Sequence, residues 1–180
     1  MGKAKQIVSL GIIVLMTFFN VIEAQEKVGS KSMLQQELKQ ERTDKTVKFF
    51  NDLTKDSLDL VDDFYHKDAT LVDPIGDHKS RETIKSYYGM MYKPVTKIKF
   101  TFGEIIMEDD NLVLPWRMDY SSKKLKSGKN ISVDGVSVLK WDLETETVIH
   151  HRDYFDMGEM VYEEVAILGR VVKWIKKMFQ

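Results

Sequence analysis

Between Thr96 and Asp156 the hydropathy of the chain repeats every second residue. Ile98, Phe100 and Phe102 alternate with Lys97, Lys99 and Thr101 in a first run, Thr96–Met107. Further runs follow over Leu112–Ser122, Asn130–Asp142 and Thr147–Asp156. Successive side chains of a strand point to opposite faces, so each run reads as a strand with one buried face. The joints are short or polar: Asp109-Asp110-Asn111, a basic loop holding Ser127-Gly128, and Glu144–Glu146. Long neighbours joined this way predict an antiparallel meander. A sheet with one apolar face needs a second layer to cover it.

That layer is expected upstream. Thr43 or Asp44 can cap a helix that carries Val47, Phe50 and Leu53 at helical spacing. A short helix starting at Asp56 or Ser57 presents Leu58, Val61 and Phe64. Ala69–Asp73 reads as a brief strand, stopped by Pro74 and the turn residues Gly76 and Asp77. Ser80 caps a third helix, Arg81–Tyr92, which turns Ile84, Tyr87, Tyr88 and Met91 inward and ends at Pro94. Helices first and sheet afterwards predict an α+β fold rather than an alternating α/β one.

The ends read differently. Lys3 and Lys5 precede the apolar run Ile7–Phe19, and Asn20-Val21-Ile22-Glu23-Ala24 follows it. This is the pattern of a secretory signal, and the run is short of the roughly 20 residues of a membrane span. Residues 1–24 are therefore expected to be a signal peptide, with a secreted or periplasmic mature chain. An uncleaved segment tethering the protein to a membrane is the alternative. Residues 25–42 form a polar linker that can turn helical from Met33. The folded domain spans 43–165, and 166–180 is an amphipathic basic helix that continues a helical reading begun at Met157. Its stripe of Val161, Val165, Leu168, Val172, Ile175 and Phe179 is expected to pack on the sheet or across a homodimer. Arg170, Lys173, Lys176 and Lys177 with Trp174 also fit a membrane surface.

Composition removes several classes of function. With no cysteine, disulfides, thiolate catalysis and cysteine-ligated metals are excluded. A net charge of −1 makes no case for nucleic acid. His150 and His151 are adjacent on a strand and point opposite ways, and no histidine has zinc-ligand spacing, so no metal is expected.

One charged constellation stands out. Arg117 and Asp119 share one face of their strand, and His151, Asp153 and Phe155 share one face of theirs. If those faces meet inside, Asp119 and Asp153 flank the Arg117 guanidinium in an apolar cavity. Two carboxylates so placed cannot both ionise easily, and Asp119 is the expected protonated member. A structural ion network, and a ligand-binding cluster without chemistry, are the other readings of these residues. Asp73, Tyr88, Val133, Gly135, Ser137, Phe155 and Met160 are the candidates for the pocket wall.

Phe64-Tyr65-His66-Lys67-Asp68-Ala69 with Asp73-Pro74, Ser80-Arg81-Glu82-Thr83-Ile84, and Asp134-Gly135-Val136-Ser137 before His151-Arg152-Asp153-Tyr154-Phe155-Asp156 resemble the SnoaL-like pattern in content and order. The resemblance covers about residues 44–165 and implies an NTF2-like cone, with helices packed on a curved antiparallel sheet around one apolar pocket. Within that superfamily, Arg117-Met118-Asp119 and Arg152-Asp153-Tyr154-Phe155-Asp156 resemble limonene epoxide hydrolase. That likeness implies Asp153 as base towards water, Asp119 as acid towards an epoxide, and Arg117 bridging them. The family's water-holding Tyr and Asn correspond here to Leu71 and Asp73. The implied activity is that of a cofactor-free hydrolase or isomerase of a small hydrophobic substrate. A non-catalytic binder of hydrophobic molecules is the alternative.

Overall fold

The computed structural model describes residues 25, 29, 30, 32–165 and 167–179. The apolar run Ile7–Phe19 and the expected cleavage after Ala24 lie outside the described residues. The chain divides into two compact units, Met1–Glu41 and Arg42–Gln180. In the first, the described residues are helical and largely exposed. Among the described residues no helix is long and apolar enough to cross a membrane.

Helix α1 covers residues 32–52, so Thr43 and Asp44 lie inside it rather than at its start. Its inner side carries Phe49 and Phe50, with Leu53 just beyond its end, all buried. The short α2 (Leu60–Phe64) brings Phe64 flat against Phe49, with ring centroids 3.9 Å apart. Strand β1 (Tyr65–Val72) starts at once, earlier than the alternation near Ala69 suggests. A turn follows in which Asp73 Oδ1 accepts from the backbone N–H of Ile75 and Gly76, and then β2 (Asp77–Lys79) pairs back on β1. The Ser80 hydroxyl accepts from Thr83 N–H and opens α3 (Arg81–Tyr92).

The alternating runs form the sheet. They are β3 (Val95–Phe102), β4 (Ile106–Glu108), β5 (Asn111–Ser122), β6 (Asn130–Asp142) and β7 (Thr147–Phe155). The first expected run is broken in two at Gly103, whose N–H bonds to the Pro115 carbonyl. The strand order is β2-β1-β7-β6-β5-β3, with β4 also on β5. The meander is antiparallel, as its turns require, whereas β1 joins β7 in parallel. Register shifts between Tyr65 and Thr70 and between Lys140 and Trp141 bend the strands. The curved, unclosed sheet carries Leu112, Leu114, Trp116, Met118, Tyr120, Ile131, Val133, Leu139 and Val148 on its buried face. This is the α+β, NTF2-like arrangement that the resemblance implied.

After β7 the chain makes a short helix α4 (Met157–Met160), a 3-10 turn at Tyr162–Glu164, and α5 (Leu168–Lys177). One continuous helix from Met157 does not form. Of the terminal stripe, Val161 packs against the core, whereas Val165, Leu168, Ile175 and Phe179 are exposed and do not pack on the sheet. Gly169 is the buried residue of α5 and sits against the Glu163 carbonyl, where a Cβ would lie 2.2 Å from the oxygen. Lys176 reaches Glu163 at 2.6 Å and Asp156 at 3.3 Å. These contacts fix the helix by its small and charged edge and leave its apolar stripe outward.

Candidate active site

A cavity of about 320 Å³ opens between the sheet and the helices. Its wall is almost wholly apolar. α1 and the residue after it supply Phe49, Phe50 and Leu53, and α3 supplies Tyr87, Tyr88, Met91 and Tyr92. The sheet supplies Ile98, Phe100, Trp116, Met118, Tyr120 and Phe155, and the segment after β7 supplies Met160 and Val161. Two carboxylates reach this space, Asp73 and Asp153.

Asp153 stands at the centre of a hydrogen-bond chain. Its Oδ1 accepts from the Ser137 hydroxyl at 2.5 Å and lies 2.8 Å from His151 Nε2. His151 Nδ1 is 2.5 Å from the Tyr65 hydroxyl, which is 2.9 Å from the Tyr88 hydroxyl. On the other side, Trp116 Nε1–H donates to Ser137 Oγ at 2.9 Å. With an ionised carboxylate and a neutral imidazole, the chain has one arrangement of protons. A carboxylate only accepts, so Nε2 carries the histidine proton. The Nδ1 of a neutral imidazole then accepts from Tyr65, and Tyr65 accepts from Tyr88. Every donor in the chain points towards Asp153. Among the described residues Asp153 Oδ2 has no hydrogen-bond partner.

The local sequence explains the geometry. His151 and Asp153 are two residues apart on β7, so both face inward. Ser137 is the register partner of Asp153 on β6. Gly135 is the register partner of Trp116, whose indole lies across it; a Cβ there would be 2.3 Å from the ring. The missing side chain lets the indole lie flat enough to reach Ser137. Tyr65, Ser137 and His151 are each at most 1% exposed. Burial, then the charge of Asp153, pushes the Tyr92 phenol far above its ordinary range. Tyr65 and Tyr88 are raised chiefly by burial as well. All three therefore stay protonated and able to donate.

The second carboxylate belongs to the turn. Asp73 Oδ2 accepts from the Tyr87 hydroxyl, and the His78 ring stacks on Tyr87 at 3.8 Å. Among the described residues no group of three or more acidic or histidine side chains could hold a metal ion.

The expected triad is not assembled. Asp153 faces the cavity, but Arg117 and Asp119 project from the opposite face of β5. Arg117 pairs at 3.3 Å with Asp134, its register partner on β6, and both side chains are more than half exposed. Asp119 accepts from the Ser132 hydroxyl and from Asn130 at 3.1 Å. Those bonds, Ser132 first, hold its carboxyl below the usual range, which is the reverse of a protonated acid. The inner face of β5 belongs to Trp116, Met118 and Tyr120. Burying these rings and chains gains more than burying two charges, which would first have to be desolvated. Of the other candidates, Asp73, Tyr88, Phe155 and Met160 line the cavity. Ser137 lies behind it, bonded to Asp153. Val133 is in the buried core, and Gly135 lies beneath Trp116. Tyr65 and Trp116 join the site without having been among the candidates, and His151, placed on the inner face by the sequence, gains a role there. The signal for His151 was present in its parity with Asp153, whereas Tyr65 gave none, because its strand begins in a stretch without alternation.

Solved structures share this architecture. A protein described as a SnoaL-like polyketide cyclase from Shewanella putrefaciens is 18% identical with a TM-score of 0.59, over 71% of this chain and 97% of that one. A protein with a ketosteroid isomerase-like fold from Catenulispora acidiphila, in complex with trimethylamine, is 16% identical with a TM-score of 0.58, over 70% and 92%. AclR from Streptomyces galilaeus, described as a hydroxylase, is 15% identical with a TM-score of 0.59, over 73% and 86%. Identities this low speak to the fold alone. None of the curated proteins compared with the chain matches it. The family model of the SnoaL-like domain matches residues 46–151, which include β1, the helices on the sheet and the inward-facing His151, and on that match the chain belongs to the SnoaL-like family.

Proposed function

We propose that this protein is a cofactor-free acid–base enzyme of the isomerase or cyclase type, acting on a small apolar compound with an acidic C–H beside a carbonyl. The observation that carries this reading is the Asp153 carboxylate, set in an apolar cavity with one oxygen held by Ser137 and His151 and the other without a partner among the described residues. A carboxylate so placed is oriented, shielded from water and open to a substrate proton. Asp153 takes the proton from the carbon, and the electron pair moves into the carbonyl to give an enolate. Tyr92, protonated and lining the same cavity, is a donor for the enolate oxygen. Return of the proton to another carbon completes an isomerisation. Attack of the carbanion on an internal carbonyl closes a ring, and the alkoxide so formed takes back the proton that Asp153 holds. His151 touches no substrate in this scheme; it holds Asp153 and is held in turn by Tyr65. The fold of the solved neighbours supports a chemistry of this class. Epoxide hydrolysis through Arg117 and Asp119 finds no support in the geometry.

The test is deuterium exchange at the α-carbon of a panel of small cyclic ketones, read by NMR. Asp153→Asn keeps shape and removes the base, so exchange is expected to fall by at least about a hundredfold, the usual worth of a positioned base. Ligand affinity and melting temperature are expected to change little. Binding of the panel without exchange in the wild type would instead identify a binder of hydrophobic molecules. Export is a separate proposal, resting on Lys3, Lys5, Ile7–Phe19 and Ala24, and N-terminal sequencing of the protein from its host tests it.

A further inference from the structure

Helix α5 presents its apolar side to the outside. At roughly 100° per residue, Ile167, Leu168, Val171, Trp174, Ile175 and Met178 fall within a single arc of its circumference. Their exposure is high: 72% for Ile167, 63% for Trp174 and 64% for Met178, with Phe179 beyond the helix at 85%. The edge turned to the protein is the opposite of what an amphipathic helix ordinarily buries. It consists of Gly169 against the Glu163 carbonyl and Lys176 between Glu163 and Asp156. Arg170, Lys173 and Lys177 flank the apolar arc, exposed and with no acidic partner among the described residues. Glu163 and Asp156 are engaged by Lys176, and Glu164 pairs with Lys126 at 3.1 Å.

We infer that α5 docks this protein flat on an anionic phospholipid surface. The arc around Trp174 enters the acyl boundary, and Arg170, Lys173 and Lys177 meet headgroup phosphates. Charge complementarity selects this occupant. A second copy packed about a two-fold axis would set the same three cations against themselves, whereas an anionic bilayer supplies the apolar phase and the counter-charge together. The inference is independent of the chemistry assigned to the cavity.

The experiment uses the full chain with vesicles of phosphatidylglycerol or of phosphatidylcholine. The chain has three tryptophans, and Trp116 and Trp141 are already buried, so a change in emission reports Trp174. Co-sedimentation with phosphatidylglycerol and a blue shift of Trp174 are expected. Binding to phosphatidylcholine is expected to be on the order of 100-fold weaker, because each cation near an anionic surface is worth about a factor of five. Lys173→Glu with Lys177→Glu is expected to cost at least as much while leaving the melting temperature unchanged. Three outcomes overturn the inference. The double variant binds undiminished, so that attachment lies elsewhere in the chain. Trp174 does not shift on phosphatidylglycerol at low salt. Or Trp174 is hidden by self-association, or by an acidic protein, with no affinity for vesicles.

Discussion

Tyr65 links α3 to the His151–Asp153 pair. Its hydroxyl accepts from Tyr88 and donates to His151, and its ring packs against Phe49 and Phe64. A Tyr65→Phe change keeps the ring and removes the link. The Tyr88 hydroxyl then loses its acceptor, and His151 Nδ1 loses its donor, both in a buried place. Stability is expected to fall by about 2 kcal/mol, the cost of orphaned buried polar groups. Exchange catalysed by Asp153 is expected to fall too, by less than in Asp153→Asn, because Ser137 still holds the carboxylate. Thermal unfolding and the ketone exchange assay separate the two effects. A variant with wild-type stability and full activity would show that Tyr65 is only a core ring. The contrast with Arg117 and Asp119 is instructive. Their pattern of charge looked chemical, but each side chain meets solvent and a cross-strand partner, where such pairs contribute little.

Among the elements, α5 is the one whose apolar stripe does not pack on the sheet. Placed in a core, Leu168→Asp would cost several kcal/mol through an unpaired buried charge. On the exposed arc it is expected to change stability by less than about 0.5 kcal/mol. Gly169→Val is the opposite case. Its side chain would collide with the Glu163 backbone, so α5 must lift from its seat and the Lys176 ion pairs must break. Hydrogen exchange across 162–177 is expected to rise sharply in Gly169→Val and to stay unchanged in Leu168→Asp. Protection lost in Leu168→Asp would return the stripe to an internal packing role.

For the whole molecule, buried tyrosines set the behaviour in alkali. Burial, then Asp73 and Asp153, raises Tyr87, and burial first raises Tyr65, Tyr88 and Tyr92. Tyr120, which donates to the Met160 carbonyl and so ties α4 to β5, is pushed up to about 12 by burial and then by Glu164. A raised folded pKa means that the folded state holds its protons longer than the unfolded one. The stability these phenols contribute is therefore complete below the ordinary tyrosine value of 10.0; the share of Tyr120 is lost as pH rises through about 12, and that of the other four at higher pH. Phenolate absorbance from the five is expected to appear together with loss of circular dichroism as pH rises over this range. Phenolate appearing from these residues in a still-folded chain would contradict their burial.

The meander, the helices over it and the inward parity of His151, Asp153 and Phe155 could all be read from periodicity. The forces behind these features are local: pleat, turn geometry and capping act over a few residues. The SnoaL-like pattern of Phe64–Asp73 and Asp134–Asp156 extended that reading to the family. Three things depended on the assembled chain. Arg117 and Asp119 lie on the outer face because both faces of β5 carry apolar residues, and only packing against α1 and α3 decided which set to bury. The chain Tyr88–Tyr65–His151–Asp153–Ser137–Trp116 draws on α3, β1, β7, β6 and β5, and no spacing along one segment encodes it. The outward stripe of α5 follows from Gly169 meeting a carbonyl six residues earlier and from Lys176 reaching Asp156, contacts that exist only once β7 and α4 have set the direction of the chain. Periodicity specifies that a face is apolar, and long-range packing specifies what that face meets.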